Sequence, residues 1–306
     1  MEEKQINRIK TISEFHQSRN LLAPEHPLIS IIDFGELVHL STIGDSKWIF
    51  DFYQISLKRG IGLKMKYGQQ EYDFDKGVMS FMAPNQIFKI EIDLNTIGEP
   101  SGWVLLIHPD LFWNTSLAKE LHRYGFFDYS VNEALFLSQK EETTMSGIID
   151  NIRQEYQLNI DKFSKHIIVS HIEVLLNYSE RFYNRQFITR EKSNYKVLEG
   201  LEKLLADYFE GDQLVAKGLP TVPYIADALN LSPKYLTGLL KVLTGQSTQQ
   251  HIHDKLIEKA KERLSTTNLS VSEIAYELGF EHSQSFSKLF KSKTSLSPIE
   301  FRQSFN

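Results

Sequence analysis

The chain has 306 residues, of which 41% are hydrophobic and 24% are charged. At roughly 150 residues per domain, this length predicts about two globular domains, and the composition excludes a disordered, fibrous or membrane-spanning protein. The sequence contains no cysteine, which excludes disulfide scaffolds, thiolate zinc sites and cysteine nucleophiles. No segment has the apolar run of a signal peptide or a bilayer span, so we expect a cytoplasmic protein without membrane contact.

The charge is unevenly distributed. Residues 222–306 contain 10 Lys and Arg against 8 Asp and Glu, a net charge of +2 within a chain whose formal net charge is −5. So small an excess is not a basic arm. If this segment binds nucleic acid, its cations must be concentrated on one face.

The first third of the chain has the pattern of short β-strands. Apolar and polar residues alternate with period 2 in 63–67, 72–74 and 88–92, which is typical of half-buried strands. Turn sequences such as Asp75-Lys76-Gly77 and Ala83-Pro84-Asn85 separate these runs. We therefore expect seven or eight strands folded as a small barrel.

After His108 the pattern becomes helical. Apolar residues recur at the spacing of an amphipathic helix at Met145, Ile148, Ile149, Ile152 and Tyr156. The next segment, 163–182, is apolar on more than one face. This surplus leaves two alternatives open: the helices within 142–185 either cover the open side of the barrel or form a homodimer interface.

A polar, charged segment at 184–194 lacks apolar periodicity and indicates a domain boundary. We expect a first domain over residues 1–190 and a second over 195–306. The second domain opens with an amphipathic helix that Gly211 is placed to end.

A weak internal repeat marks the second domain. The octapeptide VPYIADAL at 222–229 matches VSEIAYEL at 271–278, with Val, Ile, Ala and Leu at identical offsets. Each copy continues through a short break into a second apolar-faced helix, so we predict helix-turn-helix units at about 222–243 and 271–293. Gly279 suits a sharp left-handed turn, and Ser232-Pro233 suits the start of a helix.

One long helix, from Gln249 to Leu264, is predicted between the two units. A rigid spacer of this length, with its flanking helices, can place two recognition helices about one DNA turn apart, near 34 Å. The spacing therefore predicts two major-groove contacts on one face of the duplex.

The segment from Gly218 to Arg302 resembles the DNA-binding domain of the AraC/XylS family of transcriptional regulators. The resemblance rests on Ile274-Ala275, Leu278-Gly279-Phe280, the run Ser287-Lys288-Leu289-Phe290-Lys291, Ser297-Pro298 and Phe301-Arg302. Ser295 departs from the family pattern, which usually has glycine in this last turn. The resemblance implies an all-α double helix-turn-helix domain that binds promoter DNA, and it also implies RNA polymerase as a partner.

Carried over position by position, the resemblance implies base-facing residues on both recognition helices. In the first helix these are Lys234, Thr237 and Gly238, with Lys241 nearby; in the second they are Ser283, Gln284, Ser287 and Lys288. Lys291 and Lys293 are assigned to base edges or phosphates. Lys234 and Lys241 are alternatively ordinary solvated helix cations. Because Gly238 has no side chain, we expect the first helix to discriminate less than the second.

The strand-then-helix order of the first domain is similar to the N-terminal domain of these regulators, a cupin-like β-barrel with helices. The predicted class is thus an α+β two-domain protein. Relatives of this kind bind a small effector or dimerise, and Trp48, Tyr53 and Phe81 are the candidates for lining an effector pocket, although such aromatics are more often core.

Two other functions remain as alternatives, a cupin-type enzyme and a dimerisation module that needs no ligand. A cupin enzyme needs clustered histidines, whereas His26, His39 and His108 are well separated, so we expect neither a metal nor another cofactor and no enzymatic activity. His251 and His253 lie two residues apart on the predicted spacer helix and point apart, which favours solvated or capping histidines. We therefore predict a DNA-binding transcriptional regulator, with activation as its mode.

Overall fold

The computed structural model describes residues 6–39, 47–60, 66–67, 70–71, 77–89, 99–129, 133–158, 161–211 and 213–304. The chain divides into two compact units, an N-terminal unit, Met1–Gln186, and a C-terminal unit, Phe187–Asn306. The division falls within the polar segment 184–194, most of which is helical.

The main sheet of the N-terminal unit has five strands: β2 (Ile29–Asp33), β4 (Tyr53–Arg59), β7 (Val78–Met82), β9 (Ser101–Ile107) and β10 (Leu135–Phe136). Their order is β10-β7-β4-β9-β2, and each neighbouring pair is antiparallel. The central strands β4 and β9 are buried along most of their length, with Ile55 and Leu105 fully buried. Both faces at the centre of this sheet are therefore covered.

A second sheet has three strands: β1 (Ile6–Ile9), β3 (Lys47–Phe50) and β8 (Ile87–Lys89). A further two-stranded pair is formed by β5 (Lys66–Tyr67) and β6 (Gln70–Glu71). Between the sheets and helices α1 (Ile12–Ser18) and α2 (Phe34–His39), an aromatic cluster contributes to the core. In it, Phe50 stacks on Phe52 with ring centroids 5.3 Å apart, and Phe15 meets both rings edge-on.

The described strands form open sheets and do not close into the predicted cupin-like barrel, since β10 and β2 are the edges of the five-stranded sheet. Period-2 alternation identifies half-buried strands, but closure depends on strand tilt and stagger, which no local pattern encodes. The predicted strand residues 63–65, 72–74 and 90–92 lie outside the described residues.

After β9 come the helices α3 (Leu117–Glu120), α4 (Gln139–Gln157) and α5 (Ser164–Thr189), with β10 between α3 and α4. The predicted buried stripe of α4 is confirmed, since all five of its members are at most 8% exposed. Arg185 of α5 holds the start of α4 by donating to both carboxylate oxygens of Glu141, at 3.0 and 2.6 Å. The apolar surplus of α5 is also confirmed, because Phe163, Ile167 and Val174 stay 39 to 56% exposed.

The described part of the C-terminal unit is helical. After the end of α5 it contains α6 (Glu191–Glu210), α7 (Gln213–Lys217), α8 (Val222–Ala228), α9 (Pro233–Thr244), α10 (Thr248–Thr266), α11 (Val271–Glu277), α12 (Ser283–Thr294) and α13 (Pro298–Gln303). Gly211 caps the end of α6, as predicted. Among the described helices, none combines bilayer-spanning length with a sufficiently apolar composition.

Candidate nucleic-acid interface

The first helix-turn-helix unit consists of α8 and α9. The Thr221 hydroxyl caps α8, and the Ser232 hydroxyl caps α9 by accepting a hydrogen bond from the Tyr235 amide. Pro233 occupies the first turn of α9, where its missing N–H is not needed. The predicted start signal Ser232-Pro233 is therefore confirmed. Fully buried side chains hold the two helices together: Ile225, Ala226, Leu236, Leu239 and Leu240.

The second unit consists of α11 and α12. A capping box starts α11, with Ser270 accepting from the Glu273 amide and Glu273 accepting from the Ser270 amide. In contrast, the N-cap residue of α12, His282, makes no side-chain capping hydrogen bond. Its buried side chains have the same arrangement as those of the first unit and are Ile274, Ala275, Phe286 and Phe290.

The two turns begin with the same backbone structure at a sequence offset of 49. Asn230 and Gly279 both adopt the left-handed conformation, with φ of 55° and 80°. The amide after each donates five residues back, from Leu231 to the Ala226 carbonyl and from Phe280 to the Ala275 carbonyl, both at 2.9 Å. This is the bond of a Schellman-type helix end. The prediction that Gly279 makes a left-handed turn is confirmed, and so is the repeat.

The two recognition helices, α9 and α12, are offset by 50 residues rather than 49, because the second turn is one residue longer. Each has 12 residues and ends in a left-handed residue, Gly245 with φ 75° and Ser295 with φ 64°. Ser295 therefore adopts the left-handed conformation at the position where the resembled family usually has glycine. A non-glycine residue is strained in this conformation.

The predicted DNA-contacting residues occupy equivalent positions on these two helices. At the offset of 50, four pairs correspond: Lys234 and Gln284, Thr237 and Ser287, Gly238 and Lys288, Lys241 and Lys291. Each set has the spacing i, i+3, i+4, i+7, which is one helix face. Lys234, Lys241, Gln284, Lys288 and Lys291 are exposed, whereas Thr237, Gly238, Ser283 and Ser287 are half-buried.

One of these side chains is already engaged within the unit. The Thr237 hydroxyl lies 3.0 Å from the hydroxyl of Thr248, which is fully buried at the start of α10. This contact ties the first recognition helix to the spacer helix. Thr237 thus has a structural role that the sequence did not indicate, because its partner is recognised only once the helices are packed.

The spacer helix α10 has 19 residues, which span about 28 Å at 1.5 Å per residue. Its predicted apolar face is confirmed, since Ile252, Leu256, Ile257, Ala260 and Leu264 are buried. Two of its cations are paired with acids one turn further along, Lys255 with Glu258 and Lys259 with Glu262, each at 2.9 Å. These pairs reduce the positive charge that α10 itself can present to a phosphate.

The two histidines of α10 bind neighbouring side chains on different sides. His251 Nε2 lies 2.8 Å from the Thr244 hydroxyl, and His253 Nε2 lies 2.9 Å from Gln249 Nε2. Burial lowers the pKa of both imidazoles, so their neutral form is favoured. They point apart, as predicted for positions i and i+2.

The three effector-pocket candidates are packed within the N-terminal unit. Trp48 lies against the core cluster that contains Phe15, Phe50 and Phe52, with the Arg19 guanidinium 5.0 Å from its ring. Tyr53 and Phe81 both contact Phe127, with ring centroids 5.1 and 5.9 Å away. The structure thus brings Tyr53 and Phe81 to one aromatic neighbour and places Trp48 in a different cluster.

A cleft of about 830 Å³ lies elsewhere in the N-terminal unit, along the first half of α4. Most of the residues that line it are polar, among them Arg59, Ser138, Glu142, Thr143, Ser146 and Asp150. Arg59 forms an ion pair with Glu142, which is only 8% exposed. None of Trp48, Tyr53 and Phe81 lines this cleft. No local pattern in the sequence predicts this cleft, because its walls come from a strand end and a helix that lie far apart along the chain.

Two of the three histidines that a cupin site would need bind backbone amides two residues away. His26 Nδ1 accepts a hydrogen bond from the Leu28 amide at 3.1 Å, and His108 Nδ1 accepts one from the Asp110 amide at 3.3 Å. Within the described residues, no three His, Asp or Glu side chains converge as metal ligands. The side chain of His39 lies outside the described part.

Comparison with known proteins finds a family match within the C-terminal unit. Residues 225–304 match a family described as a helix-turn-helix domain. Over 84 residues the chain is 40% identical to the raffinose operon transcriptional regulatory protein RafR of Pediococcus pentosaceus, covering 28% of this chain and 30% of that protein. Over 79 residues it is 40% identical to the HTH-type transcriptional activator RhaS of Enterobacter sp. (strain 638), covering 26% of this chain and 28% of that protein.

Among solved structures, the C-terminal domain of the two-component response regulator yesN from Fusobacterium nucleatum is 29% identical, covers 35% of this chain and 98% of its own, and superposes with a TM-score of 0.31. The chain matches less than a third of the length of the two curated relatives named above. The residues of the family match, 225–304, include both turns and both recognition helices. Residues 225–304 are therefore an AraC-type helix-turn-helix domain.

Proposed function

We propose that this chain is a sequence-specific, DNA-binding transcriptional regulator that binds two successive major grooves. The observation that carries the proposal is the duplicated helix-turn-helix with the same turn geometry in both copies. A single unit is imitated by many three-helix bundles, but two units with equivalent exposed faces and a helical spacer are typical of paired groove binding.

Specificity is assigned mainly to the second recognition helix. Gln284 is exposed on it and can bond adenine through both its amide atoms, and Ser283, Ser287 and Lys288 flank it on the same helix. In the first helix the position of Gln284 is occupied by Lys234 and that of Lys288 by Gly238, which offers no side chain, and the Thr237 hydroxyl is engaged by Thr248. Lys234, Lys241 and Lys291 are proposed to contact phosphates or base edges, which positions the domain.

Selection of bound sequences from a random duplex pool by the full chain tests this proposal. We expect enrichment of a site with two contact segments about 10 base pairs apart, with more information in one segment than in the other. Loss of affinity with added salt measures the phosphate contacts. If neither a motif nor salt-sensitive binding is found, the proposed function is wrong.

The N-terminal unit is proposed to dimerise through α5. Ile167 and Val174 are 39% and 40% exposed on this helix, and Phe163, directly before its first residue, is 56% exposed. Trp113, 70% exposed, lies next to α5, since Lys165 Nζ donates a hydrogen bond to its carbonyl. A second copy of the chain would bury this apolar stripe. Light scattering of wild type and V174K at matched concentration tests this; an unchanged mass for V174K contradicts it.

Effector binding is proposed for the cleft along α4, since polar and charged side chains line it, whereas Tyr53 and Phe81 pack against Phe127 and Trp48 packs against Arg19. A panel of sugars and small metabolites screened by thermal shift provides the test. We expect at least one compound to stabilise the wild type and not S146W, in which the cleft is filled. Equal stabilisation of both proteins excludes the cleft as the effector site.

Activation through RNA polymerase is proposed by analogy with the activator RhaS and is tested by transcription from the selected site.

A further inference from the structure

One carboxylate of the spacer helix contacts the ends of both recognition helices. Asp254 Oδ2 accepts a hydrogen bond from Gln246 Nε2 at 2.8 Å, and Asp254 Oδ1 accepts one from Lys293 Nζ at 2.9 Å. Gln246 directly follows Gly245, the cap of α9, and Lys293 lies in the last turn of α12. The contact between Asp254 and Lys293 joins residues 39 positions apart.

The electrostatics of Asp254 match this role. Burial raises the pKa of its carboxyl, but the hydrogen bond and charge of Lys293 and the hydrogen bond from Gln246 outweigh burial, so the pKa lies below its ordinary value. The carboxylate is therefore charged at neutral pH. The Lys293 and Asp254 side chains are 28% and 43% exposed, so the pair is screened by solvent and contributes little to overall stability.

The two sides of this contact are anchored differently. The first unit reaches α10 through two further side-chain bonds close to Gln246, from Thr237 to Thr248 and from Thr244 to His251. At the C-terminal end of α12, the contact with α10 is the ion pair between Lys293 and Asp254. The other contacts of the second unit with α10 lie at the far end of that helix, where Arg302 Nε donates to the Leu264 carbonyl at 3.2 Å and Arg263 pairs with Glu277 at 3.7 Å. Loss of the ion pair should therefore loosen the C-terminal end of α12 in particular.

We propose that Asp254 is a positioning residue that sets the spacing of the two recognition helices by binding Gln246 and Lys293 at once. Lys293 is then occupied by protein, in place of the DNA contact that its position on α12 indicates in the sequence. This inference rests on the proposed function, because spacing has a functional meaning only for a domain that binds two grooves. Successive major grooves on one face of DNA lie about 34 Å apart, so both recognition helices bind only if their separation matches that distance. If α12 is held less firmly, the preference for DNA with the correct distance between the two contact segments should fall.

The test measures full-length protein against three duplexes made from the selected site: the native spacing, one base pair inserted between the contact segments, and one removed. For D254N and K293Q we expect about fivefold weaker binding to the native spacing and unchanged binding to the altered duplexes, so that the preference for native spacing falls. K291Q is the matched control, since it removes a charge from the same helix and should weaken all three duplexes equally. Thermal unfolding verifies that each variant is folded.

The exchange D254K/K293D restores the ion pair with the charges reversed, and Gln246 can accept from a lysine as readily as it donates to a carboxylate. We expect it to recover the spacing preference. If K293Q weakens all duplexes equally while D254N strengthens them all, Lys293 is a phosphate contact and the inference is wrong. If wild type binds with a spacing preference that D254N retains, the inference also fails while the proposed function stands. Failure of wild type to bind any duplex overturns both.

Discussion

Gly279 is the position at which a single methyl group should be most damaging to the second helix-turn-helix unit. Its φ is 80°, and a Cβ added there would lie 2.8 Å from the Leu214 carbonyl oxygen and 2.9 Å from Gly218 Cα. Both are backbone atoms, which cannot rotate away. We expect G279A to lose about 1–2 kcal/mol from the left-handed conformation and about 1–3 kcal/mol from the collision, roughly 3 kcal/mol in all.

A second glycine separates these two contributions. Gly245 also has a left-handed φ, 75°, but an added Cβ there would meet no atom within 4 Å. G245A should therefore cost only the conformational contribution, about 1 kcal/mol. G279N distinguishes them further, since asparagine tolerates the left-handed conformation, as Asn230 does with φ 55° at the equivalent turn, but does not relieve the collision.

Urea unfolding of the full chain can resolve the two units. The three tryptophans, Trp48, Trp103 and Trp113, all lie in the N-terminal unit, so tryptophan fluorescence follows that unit. Far-UV circular dichroism includes the helices of the C-terminal unit. We expect G279A to shift the dichroism transition and to leave the fluorescence transition in place. If G279A costs no more than G245A, or if G279N is as stable as wild type, the collision does not exist and the packing of this turn is wrong.

Four further substitutions give independent tests. S295G should raise the unfolding free energy of the C-terminal unit by about 0.5–1 kcal/mol in chemical denaturation, because Ser295 has φ 64° and glycine removes that strain; unchanged or lower stability contradicts it. Q284A should cost about 1–3 kcal/mol on the selected site and relax base choice, and equal losses on specific and random duplexes would refute its role. K291A should weaken binding to all sequences and reduce the salt slope by about 1. Burial lowers the pKa of Lys58 to about 8, from an ordinary 10.5. Between these pH values the unfolded chain binds more protons than the folded chain, so the free energy of unfolding should rise with pH. K58M should abolish that rise in urea titrations at pH 8 and 10.

The sequence by itself determined the double helix-turn-helix. Its signals are local: capping residues such as Ser232, the apolar stripe of α10 and the glycine of the second turn act within a few residues of the chain. The matching octapeptides VPYIADAL and VSEIAYEL fold into matching helices because the same residues fill the same crossing. Local periodicity likewise predicted the buried stripe of α4 and the apolar surplus of α5.

Tertiary structure decided what depends on long-range contacts. Whether the strands close into a barrel depends on tilt and stagger summed over the sheet, and the described strands form open sheets. The position of Lys293 on α12 predicts a DNA contact, yet its side chain binds Asp254 on another helix. Thr237 bonds Thr248 for the same reason. A helix pattern fixes which face a side chain occupies, but its partner is fixed only by how separate helices pack, because no local interaction encodes the distance between them.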